Sequence, residues 1–259
     1  MREHFQELFK YRALVWALVE RHLHARYRGS TLGVLWSFLN PLCLMGVYTL
    51  VFQYYIRFNE VQNYTIFLFC GLLPWIWVTS SLIEGSISIS AGGSLITKSL
   101  FPAHLLPAVA VLTGAVHYVL SLPLLFIFML VAGVHIPATV IFLPMMVFLQ
   151  LLFLYGVALF LGSVNVHLRD VQHLVGNALT LLFFLCPVLY PRTTVPAQFQ
   201  FSMYVNPFAA YTTVAQDLLL SGVIPSSRAI LSVCFWTWVT LFVGVSAYQR
   251  SHESFAEVL

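Results

Sequence analysis

The stretch RYRGSTLGVLWSFLNP, residues 26–41, sets two arginines two positions apart. A Gly-Ser-Thr turn and a Leu-Gly pair follow, then a run apolar enough for a hydrocarbon interior. Cations held against such a run suit the border of a bilayer, where basic side chains stay in the headgroup layer and mark the cytoplasmic end of a span. The remainder of the chain agrees. Its 259 residues are 60% hydrophobic, 15% aromatic and 8% charged. A soluble domain carries about 25% charged residues. This chain has too little polar surface to face water on all sides, so several spans are implied rather than one anchor.

Working outward from that stretch, six apolar runs emerge, at 33–56, 65–89, 105–132, 140–164, 171–190 and 229–248. A span needs about 20 residues, so the fifth is barely long enough. Upstream, residues 4–25 place Phe5, Leu8, Phe9, Val15, Trp16, Val19 and Leu23 at three- and four-residue steps against Glu7, Lys10, Arg12, Glu20 and Arg21. That pattern predicts an amphipathic helix on the membrane surface, with packing on a soluble partner as the alternative. The N-terminus has neither the continuous apolar core nor the small-residue cleavage site of a secretory signal. The expected fold is therefore all-α and polytopic. Residues 1–30 form an interface helix, 33–248 the membrane region and 249–259 a tail.

Six spans put both termini on one side. That side would carry Arg2, Lys10, Arg12, Arg21, Arg26, Arg28, Lys98, Arg169 and Arg250, against Arg57, Arg192 and Arg228 opposite. The imbalance places both termini in the cytoplasm. Arg26 and Arg28 then anchor the first span, at the depth of lipid phosphates, where an anionic headgroup could also be held. Residues 191–228 would face outward. Pro191, Pro196, Pro207 and Pro225 break this segment, and Phe199, Phe201, Tyr204, Phe208 and Tyr211 enrich it. It reads either as an outer loop with an apolar underside or as re-entrant helices whose backbone is satisfied by surrounding protein.

Several features carry less chemistry than they first promise. GGSLITKS at 92–99 has Thr97 where a phosphate-binding loop needs its second glycine, and no strand precedes it. Any use of ATP would therefore come from a partner. Cys43, Cys70, Cys186 and Cys234 are isolated in apolar runs and lack metal or redox spacing. The net charge of +3 is too small to argue for nucleic acid. Glu84 is the only carboxylate within an expected span, and no basic residue shares the membrane interior with it. A proton relay would use such a group; Glu84→Gln is expected to leave transport intact. His117 and Gln150 suit interhelical hydrogen bonds. Arg169-Asp170, in NVHLRDVQH, either caps the helix that follows or meets a cytoplasmic protein. The many aromatic rings suit interfacial belts and packing. Some could also line a conduit for a sugar polymer, whose apolar C–H faces stack on rings.

Five segments together resemble the ABC-2 type permease family, in particular the membrane subunit of bacterial polysaccharide exporters. They are RYRGSTLGVLWSFLNP, LLPWIWVTSSL at 72–82, LITKSLFPAHLLP at 95–107, NVHLRDVQHL at 165–174 and PVLYPRTTVPAQFQFSMYVNPF at 187–208. Each is weak alone; their shared order is specific. Such exporters move lipid-linked O-antigen, teichoic acid or capsule polymer, and the RYRGSxLG form points toward O-antigen. The resemblance implies a homodimer in the bacterial inner membrane, working with two copies of a cytoplasmic ATPase. ATP and Mg would be bound by that ATPase, and this chain would hold no cofactor. Leu95, Ile96, Thr97, Lys98, Ser99, Leu100, Phe101, Pro102 and His104 would form the coupling helix that docks on it. Arg26, Tyr27, Arg28, Leu32, Gly33 and Trp36 would stand at the lateral entrance for the substrate's lipid and pyrophosphate. Residues 191–228 would be re-entrant. A glycan-pathway membrane enzyme is disfavoured, because nine acids and no large polar loop leave it few catalytic groups. An exporter of small molecules would share the fold but usually less of the opening motif.

Overall fold

The computed structural model describes residues 2–57, 61–98 and 101–258. Among these there are helices and no strand. In chain order they are α1 (Arg2–Lys10), α2 (Arg12–Tyr27), α3 (Trp36–Thr49), α4 (Tyr64–Ala91), α5 (Gly93–Lys98), α6 (Leu105–Val131), α7 (Leu143–His167), α8 (Val171–Leu185), α9 (Ser202–Val205), α10 (Pro207–Gln216), α11 (Ser227–Ser251) and α12 (Phe255–Val258). The chain is an all-α polytopic membrane protein. Four helices are long and apolar enough to cross a bilayer, built on α4, α6, α7 and α11.

The other two expected spans are shorter. In the first, α3 has 14 residues and passes into a wide turn of 6 residues, Leu50–Tyr55. Stacked end to end they reach about 30 Å at ~1.5 Å per residue, the thickness of the hydrocarbon core. The fifth, α8, has 15 residues. Its length is about 22 Å, so it stops short of a full crossing. The sixth runs past its expected end at 248, and α11 continues to Ser251. The tail then turns back through α12, burying Phe255.

After α8 the chain packs back into the bundle through α10. Asn206 caps α10 by accepting from the Phe208 backbone N–H at 3.1 Å, and Pro207 occupies the first helical turn, where its missing N–H costs nothing. Phe208 meets Trp75 of α4 and Phe153 of α7, ring centroids 6.2 and 5.4 Å apart. Residues 209–216 are all buried. Gln216 donates to the Pro187 carbonyl at 2.8 Å. A backbone this deep is tolerated because protein, not lipid, surrounds it.

Both termini lie on one face of the bundle. His4 packs against His104 before α6 and Tyr248 near the end of α11, and Tyr248 in turn meets Phe255 of the tail, whose Ser254 lies 3.3 Å from His167. The interior is stitched by the polar side chains the sequence marks out. Gln150 donates to the Pro74 carbonyl at 3.3 Å and Ser37 pairs with His117 at 3.1 Å. Cys70 and Cys186 are buried, and Cys43 and Cys234 lie on the bundle surface.

The N-terminal helix departs from expectation in one respect. Its apolar residues do not form a single lipid-facing stripe. Val15 and Val19 are buried against Leu105 and Val109 of α6, with Leu8 and Leu23 beside them. Phe9 and Trp16 point outward, 69% and 52% exposed. One side of the helix is thus held by the protein's own α6. The other presents two large rings, which suits a headgroup layer.

Candidate functional site

The site is built where α2 turns into α3 on the face that holds the termini. Gly29 has φ +81° and Gly33 φ +49°, and neither would meet a neighbour if it carried a Cβ. The turn needs glycine for its left-handed backbone rather than for space. It reverses the chain so that the last two turns of α2 run beside α4 and α6. Arg26 then reaches Glu84 of α4 at 3.2 Å, and His22 reaches the same carboxylate at 3.4 Å. The sequence offers Glu84 no basic partner within the spans, and neither of these lies in one. Its partners come from the surface helix, which tertiary packing brings to its side. An acid that ends on a surface-accessible arginine is poorly placed to pass a proton across the membrane.

Arg26 stands between two cavities. One of about 610 Å³ lies among α2, α4, α5 and α6, lined by Arg21, His22 and Glu84. The other, about 160 Å³, lies between α3, α4 and α6. Arg28 lines a third, of about 690 Å³, which shares Ser37 and His117 with the second. Leu32 and Trp36 are exposed beside the turn, 41% and 47%. Tyr27 closes α2. Arg26 and Trp36 thus line the second cavity and Arg28 the third, with Leu32 and Gly33 in the turn between α2 and α3.

The second predicted cluster begins in α5, which carries Leu95, Ile96, Thr97 and Lys98 directly after α4. Ser99 and Leu100 lie outside the described residues. Residues 93–98 are helical and follow a helix, not a strand, which agrees with the rejection of a phosphate loop. Phe101 packs against the Val15–Val19 face of α2 and the start of α6, so it positions the N-terminal helix as well as its own segment. Pro102 accepts from the Leu105 N–H at 3.0 Å, and His104 forms the N-cap position of α6.

His104 belongs to a group that sequence reading missed. It lies 4.2 Å, ring to ring, from His4, which contacts Tyr155 at 2.5 Å. Tyr248 packs edge-on to both histidines. Glu7 is 3.7 Å from His104, too far for a hydrogen bond. Burial pushes His4 down to about 4 and His104 down to about 3, so both are neutral at pH 7 and the Glu7 contact is not an ion pair. The only hint in the sequence is a histidine on the apolar side of an amphipathic helix.

This geometry sets a pH response. A depressed histidine pKa means that the released segment binds the proton more readily than the docked one. Docking is then complete above pH 6.5 and is lost as pH falls toward 4. At pH 5, His4 alone should cost about 2 kcal/mol. The hydrogen-exchange protection of residues 2–10, relative to the intrinsic rate at each pH, should fall between pH 7.5 and pH 5, and His4→Gln should flatten the response. Equal protection at both pH values would contradict the buried, neutral histidine.

At the turn between α7 and α8, Asp170 occupies the N-cap position, but its side chain makes no capping bond; its carbonyl accepts from His173 and Leu174 at 3.1 Å each. The capping alternative thus survives in position and not in side-chain chemistry. Arg169 is exposed. Away from this site, Arg192 holds Asp217 at 3.3 Å and ties the stretch after α8 to the end of α10.

With this geometry in view, comparison with known proteins is direct. Residues 13–220 match the model of the ABC-2 type transporter family. The chain is 39% identical to the O-antigen export system permease protein RfbA of Myxococcus xanthus over 254 residues, 97% of each chain. It is 29% identical to a Klebsiella pneumoniae protein of the same name over 248 residues, 95% of each. It is 25% identical to the polysialic acid transport protein KpsM of Escherichia coli over 246 residues, 92% of this chain and 93% of that one. Near full-length matches and helices of spanning length agree, and the chain belongs to the ABC-2 type transporter family.

Proposed function

We propose that this chain is the permease subunit of an ATP-driven exporter of lipid-linked polysaccharide, with O-antigen as cargo. The observation that carries the reading is the pair Arg26 and Arg28 at the end of α2, each lining a cavity that also reaches Ser37 and His117. A cationic rim accepts a lipid phosphate or pyrophosphate. The relatives named for O-antigen export share more identity than those named for polysialic acid transport, which favours the former cargo. Both termini and the α5 segment face the cytoplasm in this reading. Two copies form the channel, and two copies of a separate ATPase bind ATP and Mg. The α5–α6 connection, from Leu95 to His104, is the coupling element, with Lys98 on its contact surface. Arg169 and Asp170 flank it on the same side.

The test is co-purification. Expressed with the ATPase encoded beside it and purified by a tag on this chain, the permease should bring down one ATPase per copy and hydrolyse ATP in lipid. Lys98→Asp should cut the recovered ATPase about tenfold at unchanged permease yield, since a reversed charge in a contact costs roughly 1–2 kcal/mol. A permease that purifies alone under every lipid condition would overturn the reading.

A further inference from the structure

The cavity of about 690 Å³ at the end of α2 joins an apolar interior to a basic rim. Its size is that of an ordinary ligand pocket, about 300–1,000 Å³. The walls are largely apolar, contributed by Leu23, Ala25, Leu120 and the aliphatic stems of the charged residues around them. Ser37 and His117 also reach it, but they bond each other at 3.1 Å. Such walls give a sugar or a free ion little to hold, and they suit a hydrocarbon chain.

The rim carries the charge. Arg21, His24, Ala25 and Arg28 follow at three- and four-residue steps, so they share one face at the end of α2. Arg21, His24 and Arg28 line the cavity, with Glu20 as the one acid beside them. Among the described residues Arg26 is held by Glu84, whereas Arg21 and Arg28 form no ion pair. Both are exposed. Two unpaired guanidiniums call for an anion, and a phosphate matches the geometry of their donors. From this rim the cavity reaches Leu120, midway along α6 and exposed on a helix of spanning length. Cations at one end and mid-span hydrocarbon at the other repeat the polarity of a lipid, with its phosphate at the membrane border and its chain running inward.

We propose that this cavity holds one acyl chain of a resident anionic phospholipid whose phosphate is taken by Arg21 and Arg28. The lipid fills the gap between α2, α3 and α6 and is not the exported one. The inference shares with the exporter reading the placement of α2 at the membrane border. Arg26 does not line this cavity, and Arg21 has no part in that reading, so the two can fail separately. Arg28 stands between two phosphates, the resident lipid's and the cargo's.

The test uses the full-length chain in nanodiscs of equal parts phosphatidylglycerol and phosphatidylcholine with the same acyl chains. Lipid retained on release is identified by native mass spectrometry. One phosphatidylglycerol per copy should be retained, preferred about thirtyfold over phosphatidylcholine by the two basic residues. Arg21→Gln and Arg28→Gln should each reduce the preference to about fivefold, and the double variant should abolish it. Leu120→Trp fills the cavity from an exposed position and should cut retention of either lipid at an unchanged melting temperature. Inorganic phosphate in excess should displace nothing; displacement would reveal an ion site with no use for a chain. Equal retention of both lipids, or a preference that the double variant keeps, overturns the site. Retention that Leu120→Trp leaves intact removes the chain from this cavity. Polyprenyl pyrophosphate that displaces phosphatidylglycerol, and is itself lost on Leu120→Trp, hands the cavity to the exported lipid. The exporter reading is decided apart from these results, by the ATPase co-purification and by Arg26→Gln.

Discussion

Gly156→Val should lower the melting temperature of the detergent-solubilised protein by about 6–12 °C, and Gly244→Ala should come close behind. The reason is backbone contact between α7 and α11. A Cβ built on Gly156 lies 2.5 Å from the Thr240 carbonyl carbon and 2.6 Å from the Leu241 nitrogen. One built on Gly244 falls on the Gly156 carbonyl oxygen and 3.0 Å from its carbon. Main chain cannot swing aside as a flexible side chain can, so the helices must separate. Separation forfeits dispersion contacts along both helices, and membrane helices depend on such packing because lipid offers no hydrophobic drive to bring them together. About 3 kcal/mol or more is expected, at the upper end for overpacking. Gly176→Ala is the control, since nothing stands within 4 Å of its added Cβ. It should hold or raise the melting temperature, through better helix propensity. If Gly244→Ala melts like wild type, α7 and α11 do not cross at these glycines.

The second large effect concerns Arg26. Under the exporter reading, Arg26→Gln should weaken polyprenyl pyrophosphate binding about 10- to 150-fold, the loss of a charge-assisted hydrogen bond. Glu84→Gln should change it by less than about fivefold in either direction. The Arg26 and Glu84 side chains are 42% and 25% exposed, so their pair is screened and weak. The sequence alone led to the expectation that Glu84→Gln would be silent; the ion pair revises this to a small effect through Arg26. The pH profile of transport should be the same in both variants between pH 6 and 8. Glu84→Gln that abolishes transport at normal assembly would instead support proton coupling. The contrast in magnitude separates a ligand-binding cation from the acid that positions it.

The all-α membrane class was legible because it follows from composition and run length alone. Four of the six expected spans form helices of full crossing length. The remaining two show what run length misses. Hydropathy counts residues and does not see that Leu50–Tyr55 opens into a wide turn, or that α8 ends at Leu185 while Phe208 packs on Trp75 inside the bundle. Gln150 and His117 were legible as interhelical bonders, since a polar group in a span has few other partners. His4 and His104 were not. They are 100 positions apart in sequence, and nothing local marks them as neighbours.

What the sequence by itself determined is the solvent each segment prefers: lipid for the six runs, the interface for residues 4–25, and one side for most of the cations. Transfer free energy acts residue by residue, so it can be read without knowing any neighbour. Only the tertiary structure decided which polar groups meet. The Arg26–Glu84 pair, the His4–His104 contact and the glycine contact of α7 with α11 all depend on angstrom-scale approach between distant segments. Hydrogen bonds, ion pairs and close packing fall off within a few ångströms, so they exist only once the helices have taken their places.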